Sequence, residues 1–188
     1  MMRFATWLVA MLVATCLHVA QAATLSLSPP TQNVGAGQTI VVEVFMDFQN
    51  DPTVGGGFDV LYDESILDFD GFEFDAALGD DAAFRNTPTD EPGDVHATTF
   101  GDFAGLSGPS RIGQITFLTL AEGRSDLTIR INDMFGGFFS AATNNEQVVA
   151  LENASVDVQA VPIPGAALLM LSALGVFAFR RRRSIATS

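Results

Sequence analysis

Through the middle of the chain, apolar and polar residues take turns. In QTIVVEVFMDF (38–48), Ile40, Val42, Val44, Met46 and Phe48 share one side, while Val41, Glu43, Phe45 and Asp47 take the other. A period of two over that length predicts a strand half-buried against a second layer. TLSLSP (24–29) repeats the pattern with Leu25 and Leu27, and GGGFDVLYD (55–63) with Phe58, Val60 and Tyr62. The glycines ahead of Phe58 predict a tight entry or a bulge. Further strands are expected at 95–100, 112–121, 126–132 and 148–158. In ILDFDGFEFD the phase slips, because Phe69 is odd while Phe72 and Phe74 are even. A one-residue slip would turn an apolar face to water, so a bulge is expected at Asp70–Gly71. No helical period shows between the termini, and turn residues recur at short intervals. An all-β sandwich over residues 23–160 follows.

The two ends depart from this pattern. Residues 1–22 carry one positive charge at Arg3, an apolar run from Leu8 to Leu17, and small residues at Ala20 and Ala22. This is the layout of a signal peptide, with cleavage expected after Ala22. The run is about half the roughly 20 apolar residues a spanning helix needs. Cys16 lies inside it after Thr15, a poor lipidation context, and its removal leaves a mature chain with no cysteine. At the other end, an uncharged stretch from Val161 to Phe179 meets Arg180, Arg181, Arg182 and Arg183. As a helix its 19 residues would span about 28 Å, close to the ~30 Å of a bilayer core. Pro162 and Pro164 fit the first helical turn. The arginines place the far end in the cytoplasm and the domain outside.

Val161-Pro162-Ile163-Pro164, the helix holding LSALG (171–175) and the arginine cluster together resemble a PEP-CTERM sorting segment. Such three-part tails mark exported Gram-negative proteins for the membrane protease-transpeptidase exosortase. The resemblance covers residues 161–183, with a transmembrane helix at about 163–179 and a tail at 184–188. It departs at Ile163, where the name-giving motif has Glu. What it implies is passage through the inner membrane, membrane association until processing, and release to the cell surface or matrix. The same hydropathy also fits a permanent C-terminal anchor.

Charge narrows the partners. The chain has no lysine, and all 22 acidic residues fall between Glu43 and Asp157, where only four arginines accompany them. A balance of −18 excludes nucleic acid and anionic headgroups as partners of the domain. It favours solubility and could gather divalent cations, but adaptation to salty surroundings, where self-repulsion is screened, is the preferred reading.

The pieces VGAGQTIVVEVFMDF, VGGGFDVLYDESILDFDGFEF, RIGQITFLTLAEGRSDLTIRINDMF and ENASVDV follow one another in an order similar to the cohesin family. The likeness covers residues 24–158. It implies a cohesin-like, nine-stranded jelly-roll sandwich that binds partners without catalysis, often a dockerin module. Asp63-Glu64-Ser65 stands where the family has an Asp-Pro-Ser corner.

Candidate chemistry is sparse. His96 is the one histidine after the leader, and GLSGPS (105–110) is not a G-x-S-x-G elbow, so a nucleophilic triad is not expected. One histidine without cysteine does not build a usual zinc set. Asp68, Asp70 and Glu73 cluster around a glycine and are the candidate calcium ligands, although the spacing is not that of an EF-hand loop. A solvated strand edge accounts for them better. No other cofactor is expected. Direct sugar binding would ask for exposed Trp or Tyr, and the mature chain has only Tyr62. Its thirteen domain phenylalanines are expected in the core. MFGGFF is the exception: Met134, Phe135, Phe138 and Phe139 around two glycines read either as an exposed partner loop or as a buried corner. The function expected is a non-enzymatic surface or matrix module whose partner is an exopolysaccharide or another surface protein. The alternative is a carbohydrate- or calcium-binding module held permanently at the inner membrane.

Overall fold

The computed structural model describes residues 23–132 and 134–160. The expected leader, Ala22 and the sorting segment lie outside the described residues. Among those described, no helix is long and apolar enough to cross a membrane.

Thirteen strands follow in order: β1 (Ala23–Ser28), β2 (Thr31–Gly35), β3 (Thr39–Asp47), β4 (Thr53–Leu61), β5 (Leu67–Phe74), β6 (Thr89–Glu91), β7 (Asp94–Leu106), β8 (Ser110–Thr119), β9 (Gly123–Ile131), β10 (Phe138–Phe139), β11 (Glu146–Gln147), β12 (Val149–Glu152) and β13 (Ala154–Gln159). One turn of 3₁₀ helix, Ala82–Phe84, sits between β5 and β6, capped by Asp81, whose carboxylate accepts the Ala83 N–H. A five-stranded sheet in the order β12-β1-β3-β8-β5 faces a six-stranded sheet in the order β2-β13-β9-β4-β7-β6, and β10 pairs with β11 as a small hairpin.

The alternation expected for 38–48 holds. Ile40, Val42, Val44, Met46 and Phe48 are buried between the sheets, and Val41 is exposed. Leu25, Leu27, Phe58 and Val60 join the same core, and Tyr62 packs its ring 5.1 Å from that of Phe117 at its margin. The expected bulge is present. β5 pairs with β8 in two registers that shift between Phe69 and Gly71, so Phe69 meets Phe117 and Phe72 meets Ile115. Without the extra residue, Phe72 and Phe74 would face solvent.

The two end runs each split and change sheets. β1 pairs with β3, the chain turns through Pro29 and Pro30, and β2 pairs with β13. Prolines supply no N–H to a ladder, so the break falls there. β12 lies parallel to β1, and after Asn153 the chain crosses to β13, antiparallel to β9. Asn153 holds the crossing by accepting the Ile129 N–H at 2.9 Å. The single strand expected at 148–158 is therefore two. Counting each split run once and setting the β10–β11 hairpin aside leaves nine strands. The Asp63 corner closes without proline: its carboxylate accepts the Ser65 N–H (2.9 Å) and hydroxyl (2.6 Å), and its carbonyl accepts the N–H groups of Ile66 and Leu67.

Candidate functional site

The outer face of the six-stranded sheet carries two adjoining features. The first grows from Asp59 on β4. Phe58 and Val60 point into the core, so Asp59 points outward, yet it is fully buried. Opposite it, β7 fits two residues, His96 and Ala97, against one, since Phe58 pairs with Thr98 while Val60 pairs with Val95. Ala97 takes a left-handed φ of 63° at this bulge. Asp59 Oδ1 accepts its N–H at 2.8 Å and also an Asn132 amide hydrogen. Asp59 Oδ2 accepts from Arg130 Nη2 at 2.7 Å, and the same nitrogen reaches Asp94 Oδ2 at 3.2 Å. A local clash of strand lengths is thus repaired by one buried carboxylate.

Charge is unevenly served here. Burial alone would push the Asp59 carboxyl up, but the Ala97 N–H, the Asn132 amide and the Arg130 guanidinium outweigh it and hold the group below the ordinary carboxylate range. At Asp94 burial prevails, reinforced by the charge of Asp59, and the carboxyl is pushed up despite Arg130. His96 Nδ1 lies 3.4 Å from Asp59 Oδ1 and 3.5 Å from Asp94 Oδ2. Both His96 Nδ1 and Asp94 Oδ1 are buried atoms with no hydrogen-bond partner. One ligand atom from each of Asp59, Asp94 and His96 lies within 4.8 Å of the others. No spacing rule in the sequence links these three; the β4–β7 pairing brings them together. The only signal available was DVH, which puts Asp94 and His96 two apart on one strand face.

The second feature is a cleft of about 490 Å³ beside it, floored by Gly55 and Gly56 and walled by Phe84, Thr99, Phe135 and Phe139. Of the three glycines of β4, Gly55 lies tight against the β7 backbone, while Gly56 and Gly57 lie under the 134–139 loop. A Cβ on Gly55 would lie 2.2 Å from the Phe100 carbonyl, and one on Gly57 would lie 3.0 Å from Phe135 Cβ. The glycine tract is a seat for the 134–139 loop as well as an irregular strand entry. That loop is pinned at its base: Thr53 donates to the Phe139 carbonyl at 3.1 Å, and Ser140 donates to Asp51 at 2.6 Å. Asn132 ties the two features together, since its amide donates to Asp59 while its Oδ1 accepts the Met134 N–H. Around the cleft, Phe103 is 79% exposed and Met134 75%, with Phe135 and Phe139 also open to solvent. Phe103 stands edge-on to Phe84, 4.7 Å between centroids.

The residues of MFGGFF therefore divide. Met134, Phe135 and Phe139 are at the surface, whereas Phe138 is fully buried against Phe48 and Phe100 and leaves the expected partner loop. It follows the inward phase of β10, one residue out of step with Phe139. Asp68, Asp70 and Glu73 are strung along the exposed edge strand β5, where Glu73 accepts from Gln114 at 3.0 Å. They do not form a three-ligand group; among the described residues that grouping falls on Asp59, Asp94 and His96. His96 has two carboxylates beside its Nδ1, the histidine neighbourhood that the sequence reading did not anticipate.

The sandwich matches the fold of cohesin domains. The chain is similar to one chain of a complex of CaCohA2 with a CaDoc0917 variant, with TM-score 0.62 and 20% identity over 73% of this chain and 100% of that one. It is similar to CaCohA2 from Clostridium acetobutylicum in solution (TM-score 0.59, 21% identity, 72% and 91% covered). It also resembles a non-cellulosomal cohesin from the hyperthermophilic archaeon Archaeoglobus fulgidus (TM-score 0.55, 15% identity, 78% and 96% covered). No family model matches the chain, and no curated protein matches it in sequence.

Proposed function

We propose that this chain is an exported, non-enzymatic binding module that holds a protein partner through the aromatic cleft of its six-stranded sheet. The observation that carries the reading is the pair of exposed apolar side chains, Phe135 and Phe139, that line a concave, glycine-floored surface, with the exposed Phe103 edge-on to its Phe84 wall and the exposed Met134 next to Phe135 in the chain. Exposed apolar side chains that share a concavity mark interaction surfaces. The −18 balance of the domain favours a partner with basic residues flanking an apolar anchor. The cohesin-like fold supports the same reading, since a structural neighbour was solved in complex with CaDoc0917. Delivery follows from the ends of the chain: a leader cleaved after Ala22, then exosortase reading Val161-Pro162-Ile163-Pro164 and the four arginines, with release to the surface or matrix.

Two measurements test this. A photo-crosslinking residue at position 135 in exporting cells should give discrete protein adducts, and the same residue at position 41, on the opposite sheet, should not. Equal labelling at both positions, or adducts to polysaccharide alone, would refute the protein-partner reading. Mass spectrometry of the mature chain should find the residues after Pro164 missing; an intact C-terminus would refute the sorting step and leave a permanent anchor.

A further inference from the structure

We propose that Asp59, Asp94 and His96 bind one first-row divalent transition-metal ion on the outer face of the six-stranded sheet. Two of the donors are already waiting. His96 Nδ1 and Asp94 Oδ1 are buried without a hydrogen bond, a costly state for polar atoms. The separations around Nδ1 are informative. At 3.4 and 3.5 Å from the two carboxylates, they are too long for a charge-assisted N–H···O bond, which runs about 2.7–2.9 Å. They match two edges of a tetrahedron, about 3.4 Å, around an ion with bonds of about 2.1 Å, drawn from Nδ1 to Asp59 Oδ1 and to Asp94 Oδ2, the oxygen that Arg130 holds.

The third ligand is oriented from behind. The Ala97 N–H and the Asn132 amide fix the Asp59 carboxylate, as outer-shell donors do at metal centres. Asp94 and His96 are two apart on β7 and share one face. Arg130 bridges both carboxylates, and its side chain is 51% exposed. A guanidinium so open to solvent can swing outward and yield its place to a doubly charged ion. One imidazole with two carboxylates is not a usual zinc set, but its mixed nitrogen and oxygen donors suit a first-row divalent ion better than Ca²⁺, which takes six to eight oxygens. Because Asn132 also holds the Met134 N–H, occupancy would stiffen the neighbouring aromatic loop.

The test uses the full chain, purified in detergent and stripped with a chelator. Calorimetric titration with Zn²⁺ should show one ion per chain, and Co²⁺ should give a visible d–d absorption band. His96→Ala and Asp94→Asn should each weaken binding by about tenfold or more and abolish the band. Arg130→Gln should bind more tightly, because a competing cation is gone. No uptake of either ion would overturn the proposal. So would uptake that both His96→Ala and Asp94→Asn leave unchanged, which would report only the acidic surface. A folded Arg130→Gln chain that binds no more tightly than the unaltered one would overturn the exchange with the guanidinium.

Discussion

Asp59→Ala would take the acceptor away from three groups at once. The Ala97 N–H and the Asn132 amide would be left buried and unpaired, at about 1–3 kcal/mol each. Arg130 is half exposed and can turn to water, so its share is only ~0–1 kcal/mol. Together the loss is about 2–7 kcal/mol, centred near 4 kcal/mol, a large part of the roughly 5–15 kcal/mol that holds a domain folded. Urea unfolding, followed with EDTA present so that no metal contributes, would read this directly. With a urea dependence of about 2 kcal/mol per molar, the midpoint should fall by about 2 M. Asp59→Asn keeps the shape and one acceptor oxygen, which can still face the Ala97 N–H, and should cost about half as much. An alanine variant within about 1 kcal/mol of the unaltered chain would refute the idea that this carboxylate repairs the β4–β7 bulge. If Asn proved as harmful as Ala, the charge itself, and not the hydrogen bonds, would be what matters.

Other outcomes follow from the same geometry. Tyr62 is the sole tyrosine, and burial together with Asp90 pushes its hydroxyl up to about 12. Its folded value exceeds the unfolded 10.0, so the stability it confers is whole below pH 10 and is lost as pH rises toward 12. Ultraviolet titration of tyrosinate should show a single late transition that Asp90→Asn moves earlier; an ordinary transition near 10 would contradict the packing. Phe138→Ala should cost about 3–5 kcal/mol in chemical denaturation, while Phe135→Ser should change stability by less than about 1 kcal/mol and remove crosslinking to the partner. Gly57→Val should unseat Phe135, since even a Cβ there lies within 3.0–3.2 Å of Phe135 and Thr99. Limited proteolysis should then cut within 134–139, and unchanged protection would show that the loop does not rest on β4.

Local pattern carried the strands, because side-chain alternation is a property of neighbouring residues. The inward face of β3 follows from counting in twos from Ile40. The bulge in β5 was equally legible, since only an extra residue lets Phe69 and Phe72 share a core. The same counting failed at Phe138, where a two-residue strand is too short to show its phase, and at 148–158, where one run serves two sheets. The charge of the domain and the apolar ends are likewise matters of composition, and they bear on delivery without any coordinates.

The site is another matter. Asp59 alternates like any outward residue, and nothing in FDV says that it is buried. Its burial depends on Ala97, Asn132 and Arg130, which are 38, 73 and 71 residues away. Likewise the glycines of GGG and the phenylalanines of MFGGFF explain each other only once β4 lies beneath the loop. Patterns along the chain record which side of a strand faces the core. Which distant side chains meet on the other side is set by strand pairing and bulges, and only the folded molecule contains those.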